Sequence, residues 1–279
     1  ISGVEKDTYT LKASKSNEAI NILSHDASLI LQYSAGLITL TDNEKIAADV
    51  DNNGVINPTD ATQVLQKAVD SINLPFQGAG AVWKFSPSEM IYENLNTDRY
   101  NQNFEAVLVG EVSGDWGQSS STSVNNTVDE SMFTLGQPVE EDDNVNVPVI
   151  THTEETSLLS SDLVIKYDGT NSQAVNITKS DSINNFAIST NTSINGQVKV
   201  ALAGSTPVSG DYELFTISFN TTDKDSLIDS IKLDTARIND KEIDLTKFVL
   251  PDGGDTIVIG NSKYHRNYLK DNPGELTKA

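Results

Sequence analysis

Side chains that carry oxygen recur at a regular spacing between Asp49 and Asp60. If Asp49 is position 1 of a loop, the following ones occupy positions 3, 5, 9 and 12: Asp51, Asn53, Asn57 and Asp60. Ca²⁺ takes about six to eight oxygen ligands, and this spacing lets one curled segment supply them. We therefore predict a calcium site whose ligands are Asp49, Asp51, Asn53, the backbone carbonyl of Val55, Asn57 through a water, and Asp60.

Two features distinguish this segment from an ordinary polar turn. Gly54 stands at position 6, where a sharp turn favours a residue without Cβ. Asp60 leads directly into residues 60–72, whose apolar positions recur at helical spacing, so we expect Asp60 to act as an N-cap. Position 12 is Asp, which is one methylene shorter than the glutamate usually found there.

The composition limits the class of protein. The chain has 279 residues, which suggests about two domains, and 40 acidic residues oppose 19 basic ones, giving a net charge of −21. Such a charge argues against nucleic-acid binding and is compatible with cation binding. There are no cysteines and only three histidines, so thiol and zinc chemistry have little to use. No catalytic motif is present, and we expect a protein that is not an enzyme.

A repeat links the calcium loop to an earlier part of the chain. Residues 26–38 match residues 60–72, sharing Asp, Ala, Leu, Gln and the final Ile at equal spacing. Between the two copies, residues 40–44 have the pattern of a capped start of a short helix that continues to Ala48. The first copy, however, is preceded by residues 15–20, which lack the ligands and the glycine of the second loop.

The duplicated loop and helix units resemble a dockerin of type I, with the likeness centred on residues 14–74 and reaching about residue 116. Dockerins are calcium-dependent modules with EF-hand-like loops that bind cohesin domains. The resemblance implies a calcium site in the second copy alone, with Asp26 left as a helix cap in the first. It also implies that a partner meets loop positions 10 and 11, which are Ser24 and His25 in the first copy and Pro58 and Thr59 in the second.

Aromatic residues are concentrated in residues 75–117, which include both tryptophans. We interpret this segment as an extension that covers the small core of the dockerin-like module, because a short helical pair buries little surface alone. A stacking platform for sugar is the alternative. Residues 111–115 contain Glu111, Ser113 and Asp115 at alternate positions, a weak likeness to half a calcium loop.

The rest of the chain divides into a linker, a run of strands and a tail. Residues 118–130 are polar and of low complexity, which is typical of a flexible linker. From residue 131 onward, short alternating segments predict a β-sandwich, with strands at 132–135, 145–150, 162–167, 173–178, 185–189, 197–202, 212–219, 230–234, near 243, and at 256–259. Glu140 to Asp143 read as a solvated turn.

The order of motifs in residues 131–260 resembles a cohesin. These motifs are V-x-V-P-V at 145–149, L-x-I-x-Y-D at 163–168, G-x-V-x-V-A-L-A-G at 196–204 and E-L-F-T-I-S-F at 213–219. The predicted architecture is therefore multi-domain: a small α-helical dockerin module with an EF-hand-like loop, followed by an all-β cohesin-like sandwich of the jelly-roll or immunoglobulin-like kind. Residues 1–13 are a strand or the end of an upstream domain, 14–117 the module, 118–130 the linker, 131–260 the sandwich and 261–279 a tail.

These resemblances predict a calcium-dependent protein that is secreted or exposed at a bacterial or archaeal cell surface and binds other proteins. The partner is a dockerin-type or cohesin-type domain, and it could belong to another copy, in which case head-to-tail contacts build a homo-oligomer or filament. The alternative is the attachment or carbohydrate-binding region of a larger polysaccharide-degrading enzyme or adhesin. Against the alternative, residues 131–260 contain no Trp and only two tyrosines, Tyr167 and Tyr212.

Overall fold

The computed structural model describes residues 7–16, 21–115, 132–141, 144–153, 157–243 and 245. These residues form a helical unit with two β-ribbons, covering residues 7–115, and a β-sandwich that begins at residue 132. The predicted strand at 256–259, Trp116 and the linker lie outside the described residues.

The helical unit contains three helices and two antiparallel ribbons. The helices are α1 (Ser24–Ser34), α2 (Asp42–Ala48) and α3 (Pro58–Ala68). The ribbons pair β1 (Asp7–Leu11) with β3 (Met90–Leu95), and β2 (Trp83–Ser86) with β4 (Glu105–Leu108). The short helix predicted after residue 40 is confirmed as α2, in which the side chains of Thr41 and Glu44 form a reciprocal capping box.

Two aromatic residues of the segment 75–117 belong to the core of the helical unit. Phe76 and Trp83 are 2% and 9% exposed, and they lie in one cluster with Ile30 of α1 and Leu65 of α3. These side chains bring an apolar area that two short helices could not supply themselves. Trp83 is therefore packed away from solvent and is not a platform for stacking a ligand.

The sandwich is built from two antiparallel sheets. The first has the strand order β10-β11-β8-β13-β14, and the second has the order β5-β7-β12-β9 with β6 also paired to β7. In chain order the strands are β5 (Phe133–Leu135), β6 (Val139–Glu141), β7 (Asn144–His152), β8 (Leu158–Lys166), β9 (Ser172–Lys179), β10 (Ala187–Asn191), β11 (Gln197–Val208), β12 (Asp211–Thr221), β13 (Lys232–Ile238) and β14 (Lys241–Glu242).

The core of the sandwich lies between these sheets, and most of its strands occur where the hydrophobic alternation predicts them. Leu163 and Ile165 of β8 and Phe215 and Phe219 of β12 are at most 1% exposed. The Tyr167 ring meets the Phe219 ring edge to face, with centroids 4.9 Å apart.

Two predictions for the sandwich were incomplete or wrong. Helix α4 (Lys224–Ser230) was not predicted; it buries Leu227, and Asp223 caps its first turn by accepting a hydrogen bond from the Ser226 amide. Glu140 and Glu141 lie in strand β6 rather than in a turn, because their backbone pairs with Val145 and Asn144 while their side chains stay exposed.

Candidate calcium loop and docking interface

The loop between α2 and α3 gathers three carboxylates. Asp49 follows the last residue of α2, and one oxygen from each of Asp49, Asp51 and Asp60 lies within 4.8 Å of the others. Gly54 has a φ of +84°, a conformation that residues with Cβ rarely adopt, so the turn requires glycine there. The structure therefore brings together the three acidic residues of the predicted site.

Backbone amides hold the first half of the loop in a closed curve. The carboxylate of Asp49 accepts hydrogen bonds from the amides of Asn53 and Gly54, each at 3.0 Å. The side-chain oxygen of Asn53 accepts one from the Val55 amide at 2.7 Å. These bonds fix the positions of two side chains, those of Asp49 and Asn53, that carry oxygen atoms.

Asp60 is not the N-cap of α3, as the sequence had predicted. The N-cap of α3 is Asn57, whose backbone is extended and whose side chain accepts from the Thr59 amide at 2.8 Å. Pro58 then occupies the first helical position, which suits a residue without an N–H. Asp60 stands at the third position and accepts from the Asn57 amide at 3.0 Å, so the two residues form a capping box.

The donor set fits a hard divalent cation. Asp60 is fully buried, and this burial raises the pKa of its carboxyl, with the nearby charge of Asp51 adding to the shift. A cation bound between these carboxylates would offset both effects. The Val55 carbonyl, the expected ligand at position 7, accepts a hydrogen bond of 3.1 Å from the Asn57 side-chain amide.

Asp26 occupies in the first repeat the place that Asp60 occupies in the second. Its carboxylate accepts from the Leu23 amide at 2.9 Å, as Asp60 does from Asn57. It also accepts from the Val112 amide at 2.8 Å, as Asp60 does from the Val50 amide at 3.0 Å. The segment around Val112 therefore lies beside Asp26 as the start of the Asp49–Asp60 loop lies beside Asp60.

Residues 111–115 thus occupy, beside Asp26, the place that the first half of the Asp49–Asp60 loop occupies beside Asp60. Ser113 and the Asp115 amide both donate to the Glu111 carboxylate, at 2.7 and 3.0 Å. Burial raises the pKa of Asp26 to about 7, and the charge of Glu111 adds to the shift. Lys15 instead lies over the Trp83 ring, 5.0 Å from its centroid, and residues 17–20 lie outside the described residues.

The helical unit packs against the first sheet of the sandwich through one end of α1. Asp162 of β8 accepts hydrogen bonds from Ser24 Oγ at 2.7 Å and from the Ser24 amide at 3.1 Å. Ser24 is the first residue of α1, and the preceding Leu23 has no side-chain oxygen with which to cap the helix. The sandwich therefore supplies the acceptor that this helix N-terminus lacks.

A second pair of contacts joins the C-terminal end of α3 to the same sheet. The side-chain amide of Asn191 donates to the Val69 carbonyl at 2.9 Å, and Lys199 lies 2.7 Å from the Asp70 carboxylate. Burial opposes the ionisation of Asp70, but hydrogen bonds from Lys199 and Lys67 outweigh it and lower its pKa. The sheet thus presents the Asp162 carboxylate to the N-terminus of α1, and the hydrogen-bond donors of Asn191 and Lys199 to the C-terminal end of α3. Both arrangements are favoured by the helix dipole.

Small residues let the helices approach the sheet between these two ends. Ala201 and Ala203 of β11 are fully buried and belong to the apolar cluster of the helical unit. Helix α1 packs over β8 and β11, and α3 packs over β10 and β11. The outer face of this sheet is therefore a covered surface in the described part of the chain.

The four residues expected to contact a partner differ in their exposure to solvent. Ser24 is fully buried at the interface, and His25 beside it is partly buried. Burial lowers the pKa of His25, while the charges of Asp240 and Asp115 oppose that shift. Pro58 and Thr59, the counterparts in the second repeat, are exposed.

Asp162, Asn191 and Lys199 were not predicted as interface residues. One signal for this face was present in the sequence: residues 200–204 of β11 are apolar or small without a break, and the structure buries all five. A strand of an antiparallel sheet with one solvent face alternates, so an unbroken apolar run indicates that both faces are covered.

Comparisons with known proteins return cohesin modules among solved structures. One is a non-cellulosomal cohesin from Archaeoglobus fulgidus, at 21% identity over 40% of this chain and 82% of that one, with a TM-score of 0.32. Another is a type I cohesin–dockerin complex from Clostridium thermocellum, at 19% identity over 40% of this chain and 89% of that one, with a TM-score of 0.30. No protein-family model and no curated protein matches the chain. Within the described residues, no helix combines the length and apolar character needed to cross a membrane.

Proposed function

We propose that this chain is a non-enzymatic, extracellular interaction protein whose helical unit and sandwich are partners of each other. The helical unit acts as a dockerin-like module, and the outer face of β10, β11 and β8 acts as its cohesin-like receptor. The observation that carries this proposal is the pair of hydrogen bonds from Ser24 to Asp162, because they satisfy a helix N-terminus of one unit with a carboxylate of the other.

Calcium has a structural part in this function. Asp49, Asp51 and Asp60 come from the end of α2, the loop and the start of α3, so a cation bound to all three would tie two helices together. Metal binding to a site that does not exist in the unfolded chain supplies folding free energy. The loop then holds α3 in the orientation needed for docking. Val69 and Asp70, which follow the last residue of α3, contact Asn191 and Lys199.

The contact between Ser24 and Asp162 forms within a single chain. The sequence resemblance, however, also predicted contacts between copies of the chain. Residues 118–130 join the two units, and a linker of that length spans roughly 45 Å when extended. Such a reach permits the helical unit to leave its own sandwich and dock on that of another copy. Repeated head to tail, this exchange builds an open chain of molecules unless its rotation closes a ring.

Cutting the linker tests the proposed partnership directly. A protease site introduced into residues 118–130 lets the folded chain be cleaved, and size-exclusion chromatography then shows whether the two pieces stay together. We expect them to co-elute in millimolar calcium and to separate in excess chelator. Pieces that separate in both conditions would refute the partnership, and pieces that co-elute in both would refute its dependence on calcium.

The uncut protein tests head-to-tail assembly. Its mass, measured by light scattering over a range of concentrations, should rise above that of one chain in calcium and return to that of one chain in chelator. If the mass remains that of one chain at every concentration, the filament is refuted and the monomer with its own units docked is the functional form.

A further inference from the structure

A cleft of about 590 Å³ opens on the helical unit beside the Asp49–Asp60 loop. Its walls come from Tyr33 near the end of α1, from α2, from the loop, and from residues 83–85 of β2. Protein sites for small ligands have volumes of roughly 300–1,000 Å³ and combine apolar walls with a few polar groups. Every described residue that lines this cleft belongs to the helical unit, so the docked sandwich leaves the cleft open.

The cleft has a local positive charge. The charged side chains that line it are Lys45, Asp49 and Lys84. Both oxygens of the Asp49 carboxylate already accept hydrogen bonds, from the amides of Asn53 and Gly54. Two ammonium groups therefore outnumber one engaged carboxylate, in a chain whose net charge is −21. A cation bound by the loop would add to this charge, so the cleft favours an anionic ligand.

Lys84 has the capacity to bind such a ligand. It is partly buried, and among the described residues its ammonium pairs with no carboxylate but donates to Asn52 Oδ1 at 2.7 Å. A lysine ammonium has three donors, so two remain. Lys45 is 43% exposed, and its 3.5 Å pair with Asp42 is of the kind that solvent weakens. Because the chain has 40 acidic residues and none of those described pairs with Lys84, this lysine points to an anion from outside the chain.

Aromatic rings and hydroxyl groups supply much of the remaining lining. Tyr33 and Phe85 are partly buried, and the Tyr33 hydroxyl has no hydrogen-bond partner in the described part of the chain. Ser88 adds an exposed hydroxyl. The Trp83 ring, in contrast, is covered by Lys15, which lies 5.0 Å from its centroid. A ligand that fits this lining has a flat apolar face, hydroxyl groups and a negative charge.

A uronic acid combines these three properties in one molecule. The C–H groups of its pyranose ring form an apolar face, its hydroxyls donate and accept hydrogen bonds, and its carboxylate pairs with ammonium groups. An acidic peptide would also pair with the lysines, but its carboxylate side chains offer no flat apolar face to Tyr33 and Phe85. A uronic acid therefore fits the cleft better than an acidic peptide does.

We propose that this cleft binds a uronic acid unit of an acidic polysaccharide. Lys84 and Lys45 contact the carboxylate, and Tyr33 and Phe85 pack against the sugar ring. The binding does not depend on docking, because the sandwich contributes none of the described residues that line the cleft. The docked protein then holds a polysaccharide on one side of its helical unit and the sandwich on another.

Calorimetric titration of the uncut chain in millimolar calcium tests the class of ligand. The probes are digalacturonate, its dimethyl ester, which keeps the rings but has no charge, and a tetraglutamate peptide, which keeps charge but has no sugar ring. We expect saturable binding of digalacturonate and roughly 10- to 100-fold weaker binding of the other two, because each lacks a group that the cleft recognises.

Substitutions locate the site. Lys84→Gln keeps a donor for Asn52 and removes the charge, so it should weaken digalacturonate binding by roughly 10- to 100-fold. Lys45→Gln should weaken it as well, and this exposed position on α2 keeps the test valid if Lys84→Gln melts early. Lys232→Gln is the matched control, because Lys232 is exposed at the start of β13 and lies outside the cleft. It should bind as the wild type does.

Each result decides for or against the cleft. The proposal is overturned if digalacturonate shows no saturable binding, if its dimethyl ester binds equally well, or if the two cleft variants bind as tightly as Lys232→Gln. Equal affinity for tetraglutamate would assign the cleft to acidic peptides instead. None of these results alters the outcome of cutting the linker, so this proposal and the partnership of the two units fail or hold separately.

Discussion

Ser24 and Asp162 are 138 residues apart in the chain, yet Ser24 Oγ donates to the Asp162 carboxylate at 2.7 Å. This bond caps α1 from outside the helical unit, because Leu23 at the N-cap position has no polar side chain. Helix α3, in contrast, is capped by its own Asn57. The start of α1 therefore depends on the sandwich, whereas the start of α3 does not.

The first prediction concerns the cap itself. Asp162→Ala should weaken the association of the two halves of the linker-cleaved chain by roughly 10- to 100-fold, because Ser24 loses an acceptor and α1 loses its cap. Titration calorimetry on the separated halves measures this change. Asp234→Asn is the control, since Asp234 lies on the neighbouring strand in an ion pair with Lys166 at 2.9 Å. Equal affinities for Asp162→Ala and the control would contradict the cap.

The second prediction is a pH dependence of docking. Burial raises the pKa of Asp162 to about 6, against the hydrogen bonds from Ser24 and the charge of Arg237 on β13, whereas its ordinary value is 3.8. If undocking returns the carboxyl to its ordinary pKa, the docked state retains a proton that the undocked state has released between pH 3.8 and about 6. Docking is therefore stronger at pH 5 than at pH 7.5, and it weakens as the pH rises through about 6. The limit for one proton is about tenfold per pH unit.

The affinity of the cleaved halves at pH values from 5 to 7.5 checks this dependence, and Asp162→Asn should flatten it. Part of the Asp162 surface remains exposed, so solvent screening makes the slope smaller than that limit. Affinity that rises with pH in this range, or a slope that is unchanged in Asp162→Asn, would show that another group controls docking.

The interface shows which parts of this molecule local sequence can predict. Ser24 and His25 were predicted as partner-binding residues from the family resemblance, and the structure buries Ser24 against the sandwich and partly buries His25. Most strands follow from hydrophobic alternation. Asp162 could not be predicted as a cap, because nothing near it in the chain indicates that a helix N-terminus lies opposite. The same holds for the Val112 segment beside Asp26, which depends on a contact across 86 residues. Asp60 was assigned the wrong position in its helix because Asn57 and Pro58 together start that helix three residues earlier.

The third prediction is one calcium ion per chain, bound by the Asp49–Asp60 loop. Calcium should raise the melting temperature of the helical unit, and at about 100 times its Kd it should add about 2.7 kcal/mol to the free energy of unfolding. Calorimetric titration gives the stoichiometry, and thermal melts with calcium or chelator give the stabilisation. Asp49→Ala should abolish both effects, whereas Asp42→Ala, an exposed carboxylate on α2, should keep them. Unchanged melting in chelator would contradict the structural role of the ion.

The fourth prediction concerns the close approach of helices and sheet. Ala201 is fully buried on β11 within the apolar cluster of the helical unit, so Ala201→Leu should overpack the interface and cost about 1–3 kcal/mol of docking free energy. Val175→Leu is a suitable control, because Val175 is 53% exposed on β9 of the other sheet. Affinities of the cleaved halves measure both. If Ala201→Leu binds as tightly as the control, the helices do not cover β11 in solution.

Calcium should keep the helical unit docked on the face formed by β10, β11 and β8, and hydrogen exchange of the uncut chain measures this docking without altering the protein. Peptides from the start of α1, residues 24–30, and from β11, residues 197–204, are compared in calcium and in excess chelator, with β12, residues 213–219, as the internal control. We expect chelation to speed exchange in the α1 and β11 peptides and to leave exchange in β12, in the sandwich core, unchanged. Equal protection of the α1 and β11 peptides in both conditions would contradict it.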